Sequence, residues 1–476
     1  MTVEDQVQIP VMEEVVVSDK AVEEPLKSEN VAEPVKVEKS SSFKEESNFL
    51  SDLKDHEKKA LNELKSKLEE AITENTLFKK EETKEKAKSP IKNAETEKEK
   101  SEPAKEQDEV PIVEESEEKE AEIVDKEISL WGVPLLPSKG SESTDVLLLK
   151  FLRAREFKTN EAFQMLKKTL QWRKEFKADS LINEELGSDL PPIAYMSGKD
   201  LEGHPICYNV FGALESEELY QKAFGTEEKR DNFLRWRFQL MEKGIQELDF
   251  KPEGINSLLQ INDLKNSPGP SKKELRFATK QAVHLLQDNY PEFVARNIFI
   301  NVPFWYYAFN ALFSPFLTQR TKSKMVVARP GRTTETLLKF IPIEEIPVEY
   351  GGFKRDKNDS KLWVEDNNGV KELIVKGGSI ETIEIAAPEI GTTFEWDLTV
   401  LGWEVNYKEE FVPSDEGSYS IIIQKVKKLG LNEGPIRNTF CNNELGKIVL
   451  TVDNSGSKKK KIKKVLYRHK TKNAAE

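Results

Sequence analysis

The sequence predicts three parts: a disordered acidic tail, an α/β domain with a helical N-terminal lobe, and a C-terminal all-β sandwich. The first observation is charge, since residues 1–126 hold 36 Asp and Glu against 21 Lys and no Arg, a net charge of −15 in a chain whose total is −13. The second is a series of short apolar runs that alternate with helical patterns over residues 186–353. The third is a period-two alternation after residue 361, which is typical of half-buried strands.

The acidic tail, residues 1–126, is rich in Glu, Lys, Val, Pro and Ser and has few aromatic residues. Such a composition buries too little apolar surface to offset chain entropy, so we expect disorder. Within it, residues 48–78 place leucines at helical spacings and predict a helix. Two interpretations remain open for that helix: a transient or merely docked helix, or a short coiled coil with a partner.

A helical lobe is predicted for residues 127–185. Asp145 is suited to cap a helix over residues 146–155, and Thr159 can cap a second helix. The second helix repeats apolar residues at the spacing of one helical face, namely Ala162, Phe163, Leu166 and Leu170.

Residues 186–353 are predicted to form the α/β domain. Short apolar runs that have the length of buried strands cover residues 205–211, 257–264, 297–302 and 324–328. Stretches with helical periodicity, residues 229–248 and 272–288, separate some of these runs. Because parallel strands need crossover connections that are usually helices, this order predicts a mostly parallel sheet.

Residues 361–476 are predicted to form the sandwich, after a polar break at residues 354–360. Apolar residues of one parity recur in several segments, and Gly377-Gly378 and residues 454–457 supply turn signals. These apolar residues include Phe394, Trp396 and Leu398, then Tyr419, Ile421 and Ile423, and finally Ile448, Leu450 and Val452.

The residue types that enzymes use are scattered along the chain. The four histidines lie far apart, and the sequence has no HExxH, CxxC, GxSxG or phosphate-loop motif. We therefore expect a protein that is not an enzyme and that uses no metal or cofactor. Two isolated cysteines, no signal sequence and no apolar run of membrane-spanning length lead us to expect a cytoplasmic protein.

An unusually aromatic segment follows the third apolar run. On a helix its large apolar residues cover more than one face, so burying one face leaves another uncovered. Two interpretations remain open: an ordinary core helix, or a movable lid over the acyl chains of a lipid. The residues concerned are Phe304, Trp305, Phe309, Leu312, Phe313 and Phe316.

Several motifs in this order resemble the CRAL-TRIO lipid-binding family over roughly residues 140–353. They are FLRAREF (151–157), WRKEF (172–176), DLEGHP (200–205), INDLK (261–265), NYPE (289–292), NVPFWYYAFNALFSPFL (301–317) and IPVEYGG (346–352). With the acidic tail, the segment SLWGVPLL (129–136) and a sandwich similar to a GOLD domain, the whole chain resembles the plant patellin family.

The CRAL-TRIO resemblance implies an apolar cavity under a gating helix, which here falls on residues 304–317. It also implies a headgroup site at Arg155, Glu292, Thr321 and Lys324. Arg153 and Arg155 lie two residues apart on a helix and point in different directions, and we assign the site to Arg155. A plain ion pair between Glu292 and Lys324 is the alternative, because buried partners also satisfy each other.

The patellin resemblance implies a function at membranes. It implies a peripheral protein that binds phosphatidylinositol and phosphoinositides, transfers or presents the lipid, and acts in membrane trafficking, at the cell plate during cytokinesis or at the plasma membrane. Bound phospholipid is the only ligand expected; an anionic membrane surface and proteins bound through the GOLD domain are the expected partners, without nucleic acid. The alternative is a scaffold in which the lipid is a structural ligand.

Lysines cluster near the C-terminus, in KKKKIKKVLYRHK. On a strand Lys459, Lys461 and Lys463 would share one face. These lysines either protect an exposed edge strand from aggregation or form a patch for anionic headgroups.

Overall fold

The structure is a computed structural model of the 476-residue chain. It describes residues 43–78, 128–139, 142–188, 190, 193–268, 272–303, 306, 319–355, 363, 369–402, 404–430, 433–456 and 461–472. The expectations for most of the acidic tail, for Lys459 and for the lid lie outside the described residues; the lid residues concerned are Phe304, Trp305, Phe309, Leu312, Phe313 and Phe316.

Three helices build the N-terminal lobe: α1 (Asp55–Thr73), α2 (Glu142–Ala154) and α3 (Thr159–Phe176). A two-stranded hairpin of β1 (Ser129–Leu130) and β2 (Val133–Pro134) precedes α2. α1 buries one apolar stripe in a core shared with α2 and α3; the stripe comprises Leu61, Leu64, Leu68 and Ile72.

The helix predicted within residues 48–78 is therefore part of the lobe. The prediction that the lobe begins at residue 127 leaves this helix out. Asp145 is also placed differently from its predicted role. It lies inside the first turn of α2 instead of capping that helix, and it pairs with Lys65 of α1 at 2.7 Å.

A five-stranded sheet forms the α/β domain, in the order β3-β4-β5-β6-β7. β4 to β7 are parallel, as the sequence predicts, and β3 adds an antiparallel edge that the sequence analysis missed. The strands are β3 (Ala194–Lys199), β4 (Pro205–Val210), β5 (Leu258–Asp263), β6 (Val294–Ile300) and β7 (Met325–Val327). The helices of this domain are α4 (Glu217–Phe224), α5 (Glu227–Ile245), α6 (Lys273–Asn289), α7 (Gln319–Ser323) and α8 (Thr333–Leu337).

The two faces of this sheet have different coverings. On one face, Ile206, Leu259 and Ile298 pack against the segment that follows β7, including Leu337 and Ile346. The other face includes Leu258, which shares a core with Phe238 and Met241 of α5. Both faces are covered, which explains why these strands are continuous apolar runs.

Two four-stranded antiparallel sheets form the C-terminal sandwich, in the orders β13-β10-β15-β8 and β12-β11-β14-β9. The strands are β8 (Lys371–Val375), β9 (Ile380–Ala387), β10 (Thr393–Leu401), β11 (Val405–Pro413), β12 (Ile421–Leu429), β13 (Ile436–Cys441), β14 (Gly446–Asp453) and β15 (Lys463–Lys472). The predicted parity holds in β10 and β14, whose apolar residues fill the core. It fails near β12, where Tyr419 and Ile421 are exposed; β12 is an edge strand whose pairing with β11 shifts register at Glu409.

A buried carboxylate joins the α/β domain to the sandwich. Asp397 of β10 is fully buried and accepts hydrogen bonds from Arg437 at 2.7 Å, Arg468 at 2.8 Å and Arg355 at 2.9 Å. Arg355 follows the closing segment of the α/β domain, so this ion cluster ties that segment to the sandwich. Among the described helices, none is long and apolar enough to cross a bilayer.

Candidate functional site

Four cationic side chains meet at one end of the central sheet. Lys150 and Arg153 come from α2, Arg320 comes from α7, and Lys324 lies just before β7. We call these four residues the basic cluster. They face Glu292, which lies in the short turn between α6 and β6, and the group lines a cavity of about 190 Å³.

Glu292 is the anionic centre of this site. Its carboxylate accepts hydrogen bonds from Lys324 Nζ at 2.6 Å and from Arg320 Nε and Nη2 at 2.9 and 3.0 Å. Burial alone would raise the pKa of Glu292, but the hydrogen bonds and positive charges of Arg320 and Lys324 outweigh it and lower the pKa to about 2. Glu292 also has a φ of 55°, a left-handed backbone conformation that non-glycine residues rarely adopt and that clusters at functional sites.

Lys150 is the most deeply placed cation, with 2% of its surface exposed. Its Nζ donates to the backbone oxygen of Glu292 at 2.9 Å and lies 4.5 Å from the centre of the Phe293 ring. Burial disfavours the charged amine and lowers the pKa of Lys150 to about 7, although Glu45 and Glu292 act in the opposite direction.

The structure places the two arginines of the FLRAR motif differently. Arg153 is 9% exposed and lines the cavity, three residues after Lys150 and therefore on the same face of α2. Arg155 lies beyond the end of α2 at Ala154, and its Nη1 donates to the Ala154 backbone oxygen at 3.0 Å. The structure thus brings Glu292 and Lys324 together with Arg153 and not with Arg155.

Three further points concern the predicted headgroup residues. The side chain of Thr321 lies outside the described part of α7. Lys150 and Arg320 also line the cavity and were not predicted, although the i,i+3 spacing of Lys150 and Arg153 was a usable signal. The alternative of an ion pair between Glu292 and Lys324 agrees with the observed 2.6 Å contact, but that pair is one part of a larger charged group.

The outer wall of the cavity is formed by residues 43–49, which precede the lobe and which we call the strap. With the strap in place, the cavity is smaller than the ~300 Å³ at which pockets for drug-sized ligands begin.

A second, apolar crevice lies between the sheet and helices α5 and α6. It has space for about 30 Å³, and a charged side chain, Arg237, borders it and donates to Asn209 at 2.9 Å. The other lining residues are Met196, Cys207, Phe238, Leu240, Met241, Leu258, Gln260, Ala282 and Leu286.

The structure contradicts the predicted lysine patch at one position. Lys463 is 1% exposed, because it begins β15 on the same inward parity as Val465. β15 pairs with both β10 and β8, so it is not an edge strand that needs protection. Lys461, just before β15, is exposed.

Family models match most of the chain. The N-terminal domain of the CRAL/TRIO type matches residues 60–168, the CRAL/TRIO domain matches residues 192–352, and the Patellin-1-like C-terminal GOLD domain matches residues 376–461.

Several curated relatives match half of the chain or more. Patellin-4 of Arabidopsis thaliana is 54% identical over 95% of this chain and 93% of its own length. Patellin-3 of the same plant is 46% identical over 88% of this chain and 76% of its own length. A protein named phosphatidylinositol transfer protein SFH5, from Kluyveromyces lactis, is 34% identical over 52% of this chain and 80% of its own length.

Proposed function

The chain belongs to the patellin family of CRAL-TRIO proteins, and from this premise we propose that it binds an inositol phospholipid and transfers or presents it at membranes. The observation that carries the proposal is the basic cluster, in which four cationic side chains line a cavity together with Glu292 and, from the strap, Glu45 and Glu46. Apart from the strap, Glu292 is the one carboxylate among these lining residues, so the cations are suited to a bound anion. The name of the Kluyveromyces lactis relative, a phosphatidylinositol transfer protein, supports this ligand class.

Each group of the site has a chemical role in this proposal. Arg153, Arg320 and Lys324 form charge-assisted hydrogen bonds with the phosphodiester. The Glu292 carboxylate accepts hydrogen bonds from inositol hydroxyls, and Thr321 remains our proposal for a hydroxyl partner. In this proposal Arg153 has the phosphate-binding role that the sequence analysis assigned to Arg155.

The acyl chains would occupy the crevice beside α5 and α6. In this proposal the segment of residues 304–317 is the lid that closes over them, and it moves when lipid enters or leaves. The aromatic excess of that segment supports the assignment, because it exceeds what one buried helix face needs.

The place of action belongs to the same proposal. We expect the protein at the cytoplasmic side of anionic membranes, in trafficking and at the cell plate or plasma membrane, with proteins bound through the sandwich. Lys461 and Lys459 remain candidates for membrane contact. Lys463 is no longer a candidate because it is buried.

Replacing Lys324 with Ala tests the headgroup site. Losing a charge-assisted partner of a desolvated phosphate costs about 1.5–3 kcal/mol, so we expect phosphatidylinositol loading to fall at least about tenfold. Loading is measured by lipid extraction and mass spectrometry after incubation with liposomes. Lys322→Ala, which removes the same charge from α7 outside the basic cluster, is the matched control.

Two outcomes would contradict this proposal. Equal loading of Lys324→Ala and wild type would show that the basic cluster does not hold the headgroup. Wild-type protein that carries no phospholipid and takes none from liposomes would exclude the lipid ligand. A liposome-to-liposome transfer assay then separates exchange from scaffolding, because a scaffold retains its lipid.

A further inference from the structure

The strap, residues 43–49, is bound to the same cations that the proposed function assigns to a ligand. Glu46 accepts two hydrogen bonds from Arg320, Nη1 to Oε1 at 2.6 Å and Nη2 to Oε2 at 2.7 Å, in the bidentate geometry that guanidinium groups form with carboxylates and phosphates. Arg153 Nε lies 3.5 Å from the same carboxylate. Arg320 therefore contacts two carboxylates at once, that of Glu292 inside the site and that of Glu46 outside it.

A second carboxylate of the strap occupies a neighbouring position. Glu45 accepts a hydrogen bond from Ser257 Oγ at 2.6 Å and lies 2.8 Å from His204 Nε2. His204 is 3% exposed, and its other ring nitrogen lies 2.9 Å from Asp200. This arrangement places an anion over the turn between β3 and β4, next to the cavity of the basic cluster.

In its remaining polar contacts with this surface, the strap again supplies the hydrogen-bond acceptors. The backbone oxygen of Phe43 accepts from Arg296 at 2.8 Å, and the backbone oxygen of Ser47 accepts from Arg153 at 2.6 Å. Asn48 accepts from Arg153 through its side-chain oxygen at 2.6 Å. The protein surface offers donors and the strap presents oxygen atoms, which is the chemistry of a bound phosphate ester.

The strap is also a peripheral segment. Its two carboxylate side chains are 38% and 47% exposed, and Phe49 is 45% exposed, so little apolar burial holds it in place. Only one side chain of the strap, that of Asn48, is buried. The strap itself contains no residue of a described helix or strand. Displacing it requires breaking the polar contacts named above and the contact of the Phe43 ring with Lys324 Nζ, which lies 5.1 Å from the ring centre.

We propose that the strap is a built-in competitor of the anionic ligand, with the Glu46 carboxylate in the position of an anionic group of the headgroup. Strap and headgroup then bind the basic cluster in turn. Displacement of the strap opens a continuous cationic surface from Arg153 and Arg320 to Arg296 and His204. This inference rests on the proposed function for the identity of the ligand, while the strap's position rests on the contacts above.

The competition has a quantitative consequence. When only a fraction of molecules has the strap displaced, the apparent dissociation constant equals the intrinsic one divided by that fraction. Weakening the strap therefore tightens ligand binding without any new contact to the ligand. A strap that is a plain structural element would show the opposite effect, or none.

The test compares variants of the full chain. Inositol 1,4,5-trisphosphate serves as a soluble probe in calorimetry, and phosphatidylcholine vesicles with and without phosphatidylinositol serve as lipid probes. We expect the double variant Glu45→Gln/Glu46→Gln to bind the trisphosphate about tenfold or more tightly, the effect of ~1.4 kcal/mol. Glu63→Gln on α1 is the matched control, because Glu63 is 48% exposed, close to the 47% of Glu46, and lies outside the site.

A neutral change separates displacement of the strap from a simple gain of positive charge. Asn48→Ala removes a strap contact to Arg153 without changing charge, and we expect it to tighten binding as well. Hydrogen exchange gives an independent readout, since ligand should increase exchange in residues 43–49 of the wild type. Circular dichroism and thermal melting verify that each variant is folded.

The possible results are distinct. Tighter binding by both strap variants, with faster exchange in the strap, supports the inference. Unchanged binding by the folded strap variants, while lipid is still taken up, overturns the inference and leaves the proposed function intact. Absence of binding to either probe by every variant, including the double variant, overturns both.

Discussion

Lys150 is the residue whose ionisation decides how the basic cluster responds to pH. It is buried against the Phe293 ring and the backbone oxygen of Glu292, and its surroundings also include Glu45, Arg153 and Lys324. Burial lowers the pKa of the amine from 10.5 to about 7, so the free protein holds Lys150 largely neutral above neutral pH. A bound phosphate would favour the charged form.

Ligand binding above pH 7 should therefore take up a proton at Lys150. At pH 8 a pKa of about 7 leaves roughly a tenth of the amines charged, so we expect uptake of up to ~0.9 proton per ligand, falling towards zero below pH 6. Affinity should decrease as pH rises from 7 to 9, because the protonated form that the ligand prefers becomes rarer. Calorimetry in buffers of different ionisation enthalpy measures this uptake.

A folded Lys150→Met variant is the control for this prediction, since Met is an unbranched side chain only one atom shorter than Lys and does not titrate. It should lose the proton uptake and bind the ligand more weakly at pH 6. Uptake that persists unchanged in Lys150→Met would assign the proton to another group.

At the scale of single residues, the sequence analysis named only some of the residues that the structure brings together. Glu292 and Lys324 were predicted and do meet. Arg155 was preferred over Arg153 because two residues on a helix point apart, and the sequence does not reveal which of the two faces the cavity. Arg320 was missed because its role depends on the strap and on Glu292, which are distant from it in the chain.

Among the secondary-structure elements, β11 shows how a strand can place a charged group in the interior. Val405, Tyr407, Glu409 and Phe411 share the inward parity, and Glu409 is completely buried. Its carboxylate accepts hydrogen bonds from Asn438 at 2.6 Å, Tyr407 at 2.8 Å and Trp396 at 3.1 Å. Three donors from β10, β11 and β13 therefore converge on one acceptor and fix the position of these strands.

Replacing Glu409 with Leu should destabilise the sandwich. The change leaves two buried donors, Tyr407 and Trp396, and the half-buried amide of Asn438 without this acceptor. Each unsatisfied buried group costs about 1–3 kcal/mol, with partial compensation by apolar packing. We expect a loss of about 2–4 kcal/mol in the free energy of unfolding, measured by urea denaturation of the sandwich signal. Glu410→Leu, on the outward parity of the same strand, should change stability by less than ~1 kcal/mol.

The elements themselves were well predicted where periodicity is strong. The strands near residues 205–211, 257–264, 297–302 and 324–328 all exist, within a few residues of their predicted ends. β3 was missed because its residues, AYMSGK, are partly exposed at the edge of the sheet and do not form an apolar run. α1 was predicted as a helix, but amphipathicity alone does not identify the surface on which a helix docks.

At the scale of the whole molecule, order along the chain predicted the architecture. Strand-helix alternation gave the parallel sheet, and period-two alternation gave the sandwich, since both patterns follow from burial alone. The connection between the two depends on side chains that no pattern marks: Arg355 reaches Asp397, which Arg437 and Arg468 also contact. Such ion clusters depend on tertiary geometry.

Because α1 belongs to the lobe, the acidic residues that follow it in the sequence connect two parts of the same lobe. The described part of the chain stops at residue 78 and resumes at residue 128, and Leu77 and Leu130 pack in the same core. Residues 79–127 are therefore a connection anchored at both ends. The entropic cost of joining two packed ends rises by only about 0.6 kcal/mol for each doubling of the number of residues between them, so the length of this connection adds little to the cost of folding.

If the chain is cut within residues 79–127, the two fragments should therefore stay associated. We expect the two fragments to co-elute in gel filtration, held by the buried leucines of α1, and to separate only in denaturant. Separation in native buffer would show that α1 is held by its covalent connection and not by packing. By the same reasoning, a fluorescent protein could be inserted in this connection. The insertion point would be distant in sequence from the residues of the basic cluster and from the sandwich.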